Sequence, residues 1–337
     1  MAQVSLLSAA APDNPGRPYA FDELERMKTA ARLDKFGVHE ATDDWEQADV
    51  ILFVENCGTF DHFFHEVRHH PAYRKYPGKC CMHTRTDYPV PFLPGVYASL
   101  RKRWYDPERV RTGMYLVAHD HDYVSYSENE VGSEYLYSFI GKTNTRAVRQ
   151  QIMELDDGRA FLFDTTPYWP YGELPAEKRE ELEAQYREVS LKSQFILCPR
   201  GYGTSSIRLF EALRMGRVPV VLADAWVPPE GPAWDSFCVR IPESEVHLVP
   251  QILEERCHQA ADMGRRARQA WDDWFSEHAI FHRVTEWCLA IRAERRLPET
   301  MHRWRVVPQL LQPLYMKALA RTLLPVRVKN LLNTIKP

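Results

Sequence analysis

The chain has 337 residues, a length typical of two domains of ordinary size. Hydrophobic residues make up 45% of it and aromatic residues 12%, which is enough for a packed core and excludes a mainly disordered chain. A formal net charge of −3 excludes a broad nucleic-acid-binding surface, and no apolar run approaches the roughly 20 residues that a membrane span requires.

The cysteine pattern and the N-terminus favour a cytoplasmic protein. Seven cysteines occur, Cys80 and Cys81 are adjacent, and no CxxC pair is found. We therefore expect free thiols, and neither a disulfide framework nor a structural zinc site. The N-terminal residues MAQVSLLSAAAPDNPGRPY lack the basic start and the long apolar stretch of a signal peptide.

Residues 1–134 are predicted to form an α/β domain with a parallel sheet, because short apolar runs alternate with helical periodicity. A helical pattern occupies 60–68, and residues 84–113 are expected to form loops with short helices because they are rich in Pro, Asp and Arg. The predicted buried strands are Asp49–Val54, Lys79–His83 and Met114–Ala118.

A second α/β domain is predicted over residues 135–295. Its first elements are, in chain order, a strand at Tyr135–Ile140, a turn at Gly141–Lys142, a helix at Arg146–Leu155, a strand at Ala160–Phe163 and a charged helix at about 176–192. The Glu, Lys and Arg residues of that last helix are expected to form a solvated face and nothing more.

The segment 193–226 is predicted to form a strand, a tight loop, a helix and a second strand. Phe195–Cys198 is the first strand, Arg200–Gly203 forms the loop, and Val218–Leu222 is the second strand. Gly216 is expected to end the helix between them. Such a loop suits a phosphate, because glycines allow close backbone approach and the helix N-terminus offers unpaired N–H groups.

Several side chains of this loop and helix are candidates for nucleotide binding. Hydroxyls add donors, arginines add forked charge-assisted bonds, and an acid in the helix can accept bonds from ribose hydroxyls. Arg208 and Glu211 share one helix face, so a surface ion pair is the alternative interpretation. The loop matches neither GxGxxG nor a Walker sequence. The candidates are Arg200, Gly201, Thr204, Ser205, Ser206, Arg208 and Glu211.

The same segment resembles the C-terminal signature of the exostosin-type glycosyltransferases, F-C-L-C-P-R-G, S-x-R, E-A-L and P-V-V-L followed by Trp. The similarity is specific over about 135–245, where Ser138–Gly141 with Arg149 and Phe237–Pro242 also resemble the family, as does Leu93–Tyr97 before it. The matching residues of the signature are Phe195, Leu197, Cys198, Pro199, Arg200, Gly201, Ser206, Arg208, Glu211, Ala212, Leu213, Pro219, Val220, Val221, Leu222 and Trp226.

The resemblance implies a GT-B architecture, in which two Rossmann-like domains face each other across a cleft. The second domain would hold a nucleoside diphosphate sugar, by default a UDP-sugar, and the first a glycan or lipid-linked acceptor. It further implies inversion of the anomeric centre, with no metal and no cofactor besides the donor. The implied nucleotide contacts are Arg200, Arg208 and Glu211, together with Gly141, Lys142 and Arg149. A catalytically inactive nucleotide- or glycan-binding partner of an active transferase is the alternative.

An inverting transfer needs a base for the acceptor hydroxyl, and parallel sheets present ligands at the carboxyl ends of their strands. Asp120 is favoured because it follows a predicted strand, and Asp61 and His65 are the next choices. Asp120-His121-Asp122 is also an Asp-x-Asp sequence, so a metal site is an alternative to a polar loop there. The remaining candidates are Glu55, His62, His83, Asp87, His119 and Asp122.

Residues 296–337 are predicted to form a basic helical tail. From 301 onwards it carries seven Lys or Arg and no acid, with apolar residues at helical spacing around 310–323. Basic amphipathic helices lie on anionic membrane surfaces, so peripheral membrane contact is one interpretation. The other is that the tail crosses back and packs on the first domain.

Overall fold

The structure is a computed structural model that contains two parallel β-sheets with their connecting helices. It describes residues 1–10, 22–56, 65–87, 89–127 and 134–302, together with residues 304, 311 and 316.

The first sheet has six strands, which are β1 (Gln3–Leu7), β2 (Glu40–Thr42), β3 (Val50–Glu55), β4 (Cys80–Thr84), β5 (Gly95–Tyr97) and β6 (Val110–Thr112). Their order is β2-β1-β3-β4-β5-β6, and all neighbours are parallel. β3 and β4 are buried along their whole length, which explains why both were recognisable as apolar runs.

The second sheet has five strands, which are β7 (Tyr135–Gly141), β8 (Ala160–Asp164), β9 (Ser193–Pro199), β10 (Val218–Leu222) and β11 (Val239–Arg240). Their order is β11-β10-β9-β7-β8, again with all neighbours parallel. The strand expected at Val218–Leu222 forms although Pro219 has no N–H group to donate. The neighbouring β11 pairs only with Val220 and Val221, so Pro219 interrupts no pairing with β11.

The helices connect these strands. They are α1 (Asp22–Leu33), α2 (His65–His69), α3 (Pro71–Lys75), α4 (Ala147–Ile152), α5 (Ala176–Lys192), α6 (Ile207–Arg214), α7 (Val249–Arg256), α8 (Ala260–Ala270), α9 (Ile280–Glu294) and α10 (Glu299–His302). α6 ends just before Gly216, whose φ of 66° is the left-handed conformation that glycine adopts without strain.

The two sheets belong to two Rossmann-like domains that meet along an apolar interface. One cluster of buried residues includes Val96 and Met114 of the first domain and Ile196 and Leu209 of the second. Across the same interface the rings of Tyr115 and Phe210 meet edge to face, with centroids 6.4 Å apart. The predicted GT-B fold class is therefore confirmed.

The chain returns to the first domain near its C-terminal end. α9 packs against α1 and β5, and Cys288 on α9 is fully buried there. This return begins before residue 296. The basic tail predicted at 296–337 falls largely outside the described residues, so its two interpretations stay predictions. In the described part of the chain, six cysteines are free thiols and no helix is both long and apolar enough to cross a membrane.

The strand predicted at Met114–Ala118 is wrong. This run belongs to a loop and a 3-10 helix, Leu116–Asp120, and its side chains are apolar because they are buried between the two domains. The strands that complete the sheet, β5 and β6, lie in the region expected to form loops. Each is three residues long, which is too short to show a strand period in the sequence.

Candidate active site

A cavity of about 680 Å³ lies between the two domains. Its lining includes Arg85 just after β4, Gly141 at the end of β7 and Gly201 just after β9, so it opens where parallel sheets bind their ligands. In the described parts of the chain, four cations and two carboxylates line it, namely Arg85, Lys142, Arg149, Arg208, Asp87 and Glu183. The excess of positive charge favours an anionic ligand.

Glu211 is the centre of a buried hydrogen-bond network beside this cavity. Its carboxylate has no exposed surface, and Oε2 accepts bonds from Arg208 Nη1 at 2.6 Å and from the Tyr186 hydroxyl at 2.8 Å. Oε1 lies 2.5 Å from Nδ1 of His121, a residue of the first domain. The network therefore joins α5 and α6 to the opposite domain.

The carboxylate of Glu211 keeps its charge in spite of this burial. Burial alone would raise its pKa, but the guanidinium of Arg208 and the bond with His121 lower the pKa to about 2. The sequence analysis gave an ion pair between Arg208 and Glu211 on the surface as the alternative interpretation. The ion pair forms, but its carboxylate is fully buried. Glu211 is not part of the cavity lining, so its contact with ribose stays a prediction.

Arg208 is fixed by neighbours and also lines the cavity. Its Nε donates to the carbonyl of Ile140 at 3.3 Å, and its guanidinium lies over the ring of Tyr186 at 4.4 Å. A quarter of the side chain is exposed. A guanidinium held in this way can form charge-assisted bonds to an anion without losing further side-chain freedom.

Two buried hydroxyl oxygens on the cavity wall lack a hydrogen-bond partner among the described residues. They are Oγ of Ser205, in the loop before α6, and Oγ1 of Thr145, before α4. A ligand with acceptor oxygens would satisfy both groups. Ser206 precedes α6 as its N-cap, makes no capping bond with its side chain and also lines the cavity. The N-terminus of α6 therefore faces the same space.

Arg149 supports the loop from within the second domain. It donates to the carbonyls of Arg200 at 2.9 Å, Lys142 at 3.0 Å and Pro199 at 3.0 Å. Burial, together with the positive charge of Arg208, lowers its pKa to about 10. Because these two cations repel each other across the cavity wall, an anion bound between them would be stabilised by both.

Gly201, Gly141 and Lys142 form the rim of the second domain, and all three line the cavity. A Cβ atom at Gly201 would lie 3.2 Å from Nη2 of Arg149, so glycine permits this close packing. Nζ of Lys142 lies 4.0 Å from the ring centroid of Trp169. The side chain of Trp169 is 62% exposed and offers a flat surface at the entrance.

Arg200 and Thr204 lie outside the cavity lining. The side chain of Arg200 is directed towards Glu243, with Nη1 3.8 Å from Oε1. Thr204 bridges the domains, since its amide donates to Ser99 Oγ at 2.8 Å and its hydroxyl donates to the carbonyl of Leu100 at 3.0 Å. Thr204 thus connects the two domains by hydrogen bonds beside the loop.

The structure does not place Asp120, the favoured base candidate, in the cavity lining. Both carboxylate oxygens of Asp120 share the Nε–H of Arg26, at 2.8 and 2.9 Å, and Nη2 of Arg26 donates a further bond. Asp122 lines a separate hollow of about 340 Å³. Asp61 lies outside the described residues, and His65 begins α2 with a side chain that is likewise outside them.

Asp87, one of the remaining candidates, does line the cavity. Its Oδ1 accepts a bond from the Tyr115 hydroxyl at 3.1 Å. A Cβ atom at Gly203 would lie 2.7 Å from the same oxygen, so the carboxylate directly adjoins the loop before α6. Asp87 is exposed to the cavity, and partial desolvation by the surrounding protein raises its pKa, although the bond from Tyr115 and the charges of Arg85 and Arg149 oppose this.

Two residues of the site were missed by the sequence analysis, His121 and Tyr186. The Glu, Lys and Arg residues of α5 are exposed or half-buried, as expected, but the helix also buries Leu182, Tyr186 and Val189. Their spacing of four and three residues is a helical apolar stripe, so a signal existed within the charged segment. For His121 there was no local signal, because its partner Glu211 is 90 residues away in the chain.

Comparison with known proteins shows which family part of this chain resembles. Residues 107–256 match the Exostosin GT47 domain. Over 174 residues the chain is 29% identical to the exostosin-1 homolog of Caenorhabditis elegans, covering 45% of this chain and 46% of that protein. Over 75 residues it is 40% identical to a probable glucuronosyltransferase of Oryza sativa subsp. japonica, covering 22% of this chain and 17% of that protein.

Residues 107–256, somewhat less than half of this chain, are therefore similar to the Exostosin GT47 domain, which confirms the resemblance found in the sequence. It spans less than half of the length of these relatives. Among solved structures, a glycosyltransferase from Rickettsia africae aligns with a TM-score of 0.42 and 11% identity, covering 86% of this chain and 98% of that one. The matched range 107–256 includes Arg149, Arg208 and Glu211 but not Asp87.

Proposed function

We propose that this protein transfers a sugar from a nucleoside diphosphate sugar to a glycan or lipid-linked acceptor, with inversion at the anomeric carbon. The observation that carries the proposal is the cavity between the domains, where cations and unpartnered hydroxyls on one wall face a carboxylate on the other. The donor would be a UDP-sugar by default, an identity that rests on the resemblance to the exostosin-type enzymes.

The second-domain wall would bind the donor through its diphosphate. Arg208 and Arg149 supply positive charge, and Ser205 and Ser206 supply hydroxyl donors at the start of α6. As the bond to the sugar breaks, negative charge grows on the diphosphate, and fixed cations stabilise that charge. Glu211 would act as a positioning residue that holds Arg208 in place.

Asp87 would act as the base. The acceptor hydroxyl gives its proton to the Asp87 carboxylate, its oxygen bonds to the anomeric carbon from the face opposite the diphosphate, and the nucleoside diphosphate leaves with the electron pair of the broken bond. Tyr115 would orient the carboxylate through its bond to Oδ1. A pKa raised above the ordinary value makes Asp87 a stronger base than a solvated aspartate.

The decisive experiment incubates the purified full chain with a panel of nucleotide sugars and measures release of nucleoside diphosphate, with and without oligosaccharide acceptors. Release that depends on Arg208, persists in a chelator and rises with acceptor is expected. Arg208→Ala tests the site, and Arg265→Ala, which removes an exposed cation on α8, is the matched control.

Three outcomes would contradict the proposal. No release with any donor would reject activity, and tight nucleotide binding without release would instead favour an inactive binding partner. Loss of activity in the chelator, with rescue by manganese or magnesium, would replace the cationic mechanism by a metal-dependent one.

A further inference from the structure

A group of metal-ligating side chains lies outside the cavity, where α9 meets the edge of the first sheet. His39 directly precedes the edge strand β2, and His282 and Glu286 lie one turn apart on α9. One ligand atom from each of the three residues lies within 4.8 Å of the others. None of the three lines the cavity between the domains.

The backbone and a ring contact hold this group in place. The spacing of His282 and Glu286, four residues on a helix, puts both side chains on one face of α9. The ring of Phe36 stacks on His282, with centroids 4.2 Å apart and an interplanar angle of 23°. The rings of His39 and His282 are 5.1 Å apart, and His39 Nε2 lies 2.6 Å from Glu286 Oε1. The side chains therefore converge without a change in the fold.

The two imidazoles have unused ligand atoms. His39 is 6% exposed and His282 is 9% exposed, yet Nδ1 of each ring lacks a hydrogen-bond partner among the described residues. Buried polar atoms are normally satisfied, so the unpartnered Nδ1 of His282 indicates a missing ligand, and His39 can offer Nδ1 or, once Glu286 moves, Nε2. This observation is independent of the spacing of the three side chains.

The donor set selects the class of ion. Two imidazole nitrogens and one carboxylate oxygen suit zinc and its neighbours in the first transition row, whereas calcium and magnesium prefer oxygen ligands only. Glu286 is half exposed, so its carboxylate can move from His39 to make room for an ion. A hollow lined by Met1, Ala2 and Arg292 adjoins His39 and Glu286 and offers a path from solvent.

We propose that His39, His282 and Glu286 bind a divalent transition-metal ion of the zinc class, with water in the remaining position. The ion would connect α9 to the edge of the first sheet and so secure the segment that returns to the first domain. Its role is structural, because the site is separate from the cavity, and the proposal does not depend on glycosyl transfer.

The test uses the full chain, freed of any affinity tag and treated with a chelator. Titration with ZnCl₂, followed by calorimetry, is expected to show one ion bound per chain and a rise in Tm, because a ligand that binds the folded state stabilises it. MgCl₂ is expected to give neither effect. CoCl₂ is expected to produce the strong visible absorption of a four-coordinate site, which hydrated cobalt lacks.

Matched variants locate the site. Glu286→Gln changes a half-exposed side chain, so the protein should fold and bind zinc at least about tenfold more weakly. His282→Ala should abolish the cobalt spectrum, whereas His258→Ala, which removes an exposed imidazole, should behave as the wild type. If His282→Ala does not fold, the zinc affinity and the cobalt spectrum of Glu286→Gln test the proposal instead. Absence of saturable zinc binding, or equal zinc affinity in the wild type and Glu286→Gln, would overturn the proposal.

Discussion

The two walls of the cavity differ in how the chain builds them. In the second domain one continuous stretch, from the end of β9 to α6, supplies the loop, its hydroxyls and Arg208. In the first domain Asp87 follows β4, while Tyr115 and His121 follow β6, so the wall is assembled from separate loops. A local motif therefore supplies much of the second-domain wall, to which the segment 141–149 adds Lys142, Thr145 and Arg149, whereas only the sheet brings the opposite wall together.

Glu211, beside the cavity, and Asp87, in its lining, also differ in their surroundings. Glu211 is fully buried and its pKa is lowered to about 2, because Arg208 and His121 overcome the effect of burial. Asp87 lies exposed in the cavity lining, and its pKa is raised because desolvation by the surrounding protein exceeds the effect of its partners. One carboxylate is committed to internal bonds while the other can accept a proton, a division of roles that environment alone produces.

The largest effect is expected from Asp87→Asn, which removes the proposed base without changing the shape of the side chain. The rate constant kcat for sugar transfer should fall by about 10²–10⁴-fold, while nucleotide affinity measured by calorimetry should change little. In the wild type, kcat should fall at low pH with an apparent pKa above the ordinary aspartate value.

Asp120→Asn is the matched control for this prediction. Because Asp120 is bound to Arg26 outside the cavity lining, kcat should be nearly unchanged. A larger loss in Asp120→Asn than in Asp87→Asn would return the role of base to Asp120.

Glu211→Ala should lower stability more than any change at Asp87. It leaves the guanidinium of Arg208 without its buried partner, and breaking such a pair costs about 3–5 kcal/mol. Urea unfolding of Glu211→Ala and Asp87→Ala measures the difference in the free energy of unfolding. Equal losses would show that the two carboxylates do not differ as the structure indicates.

The same carboxylate should make stability depend on pH. The pKa of Glu211 is lowered from 4.5 to about 2 on folding, so its contribution is complete above pH 4.5 and is lost as the pH falls towards 2. Unfolding measured at about pH 6 and about pH 3 should show this loss in the wild type and a smaller one in Glu211→Gln. A loss of the same size in Glu211→Gln would assign the acid sensitivity to other groups.

Arg208→Ala should weaken nucleotide binding by about 10- to 150-fold, since a charge-assisted bond contributes about 1.5–3 kcal/mol. Calorimetry with UDP measures the change, and circular dichroism verifies the fold. Arg208→Lys keeps the charge but loses the forked geometry and should be intermediate. Unchanged affinity in a folded Arg208→Ala protein would remove Arg208 from the donor site.

Thr204→Val should have the smallest effect. The change removes a hydroxyl that donates to Leu100 across the domain interface and should cost about 0.5–1.5 kcal/mol of stability. Nucleotide affinity should stay within about twofold because Thr204 is outside the cavity lining. A strong loss of nucleotide affinity at unchanged stability would instead support the ligand contact expected from the sequence.

Much of the second domain followed from the sequence alone. The helix predicted at about 176–192 is α5, and the strand predicted at Val218–Leu222 is β10. Arg208 lies on the cavity wall as the loop-and-helix pattern suggested. The predictions of the helix and the strand succeeded because these elements have clear local patterns, whereas the nucleotide contact of Arg208 stays a prediction.

The first-domain wall was decided by tertiary structure. Met114–Ala118 has the composition of a strand, but its apolar side chains pack between the domains. The pattern of apolar residues in the sequence cannot distinguish burial in a sheet from burial between two domains. Asp87 and Tyr115 are 28 residues apart, and His121 and Glu211 are 90 residues apart. The first pair meets only once the first sheet has formed, and the second only once the two domains have docked, so the sequence could identify the second-domain wall but not the carboxylate that faces it.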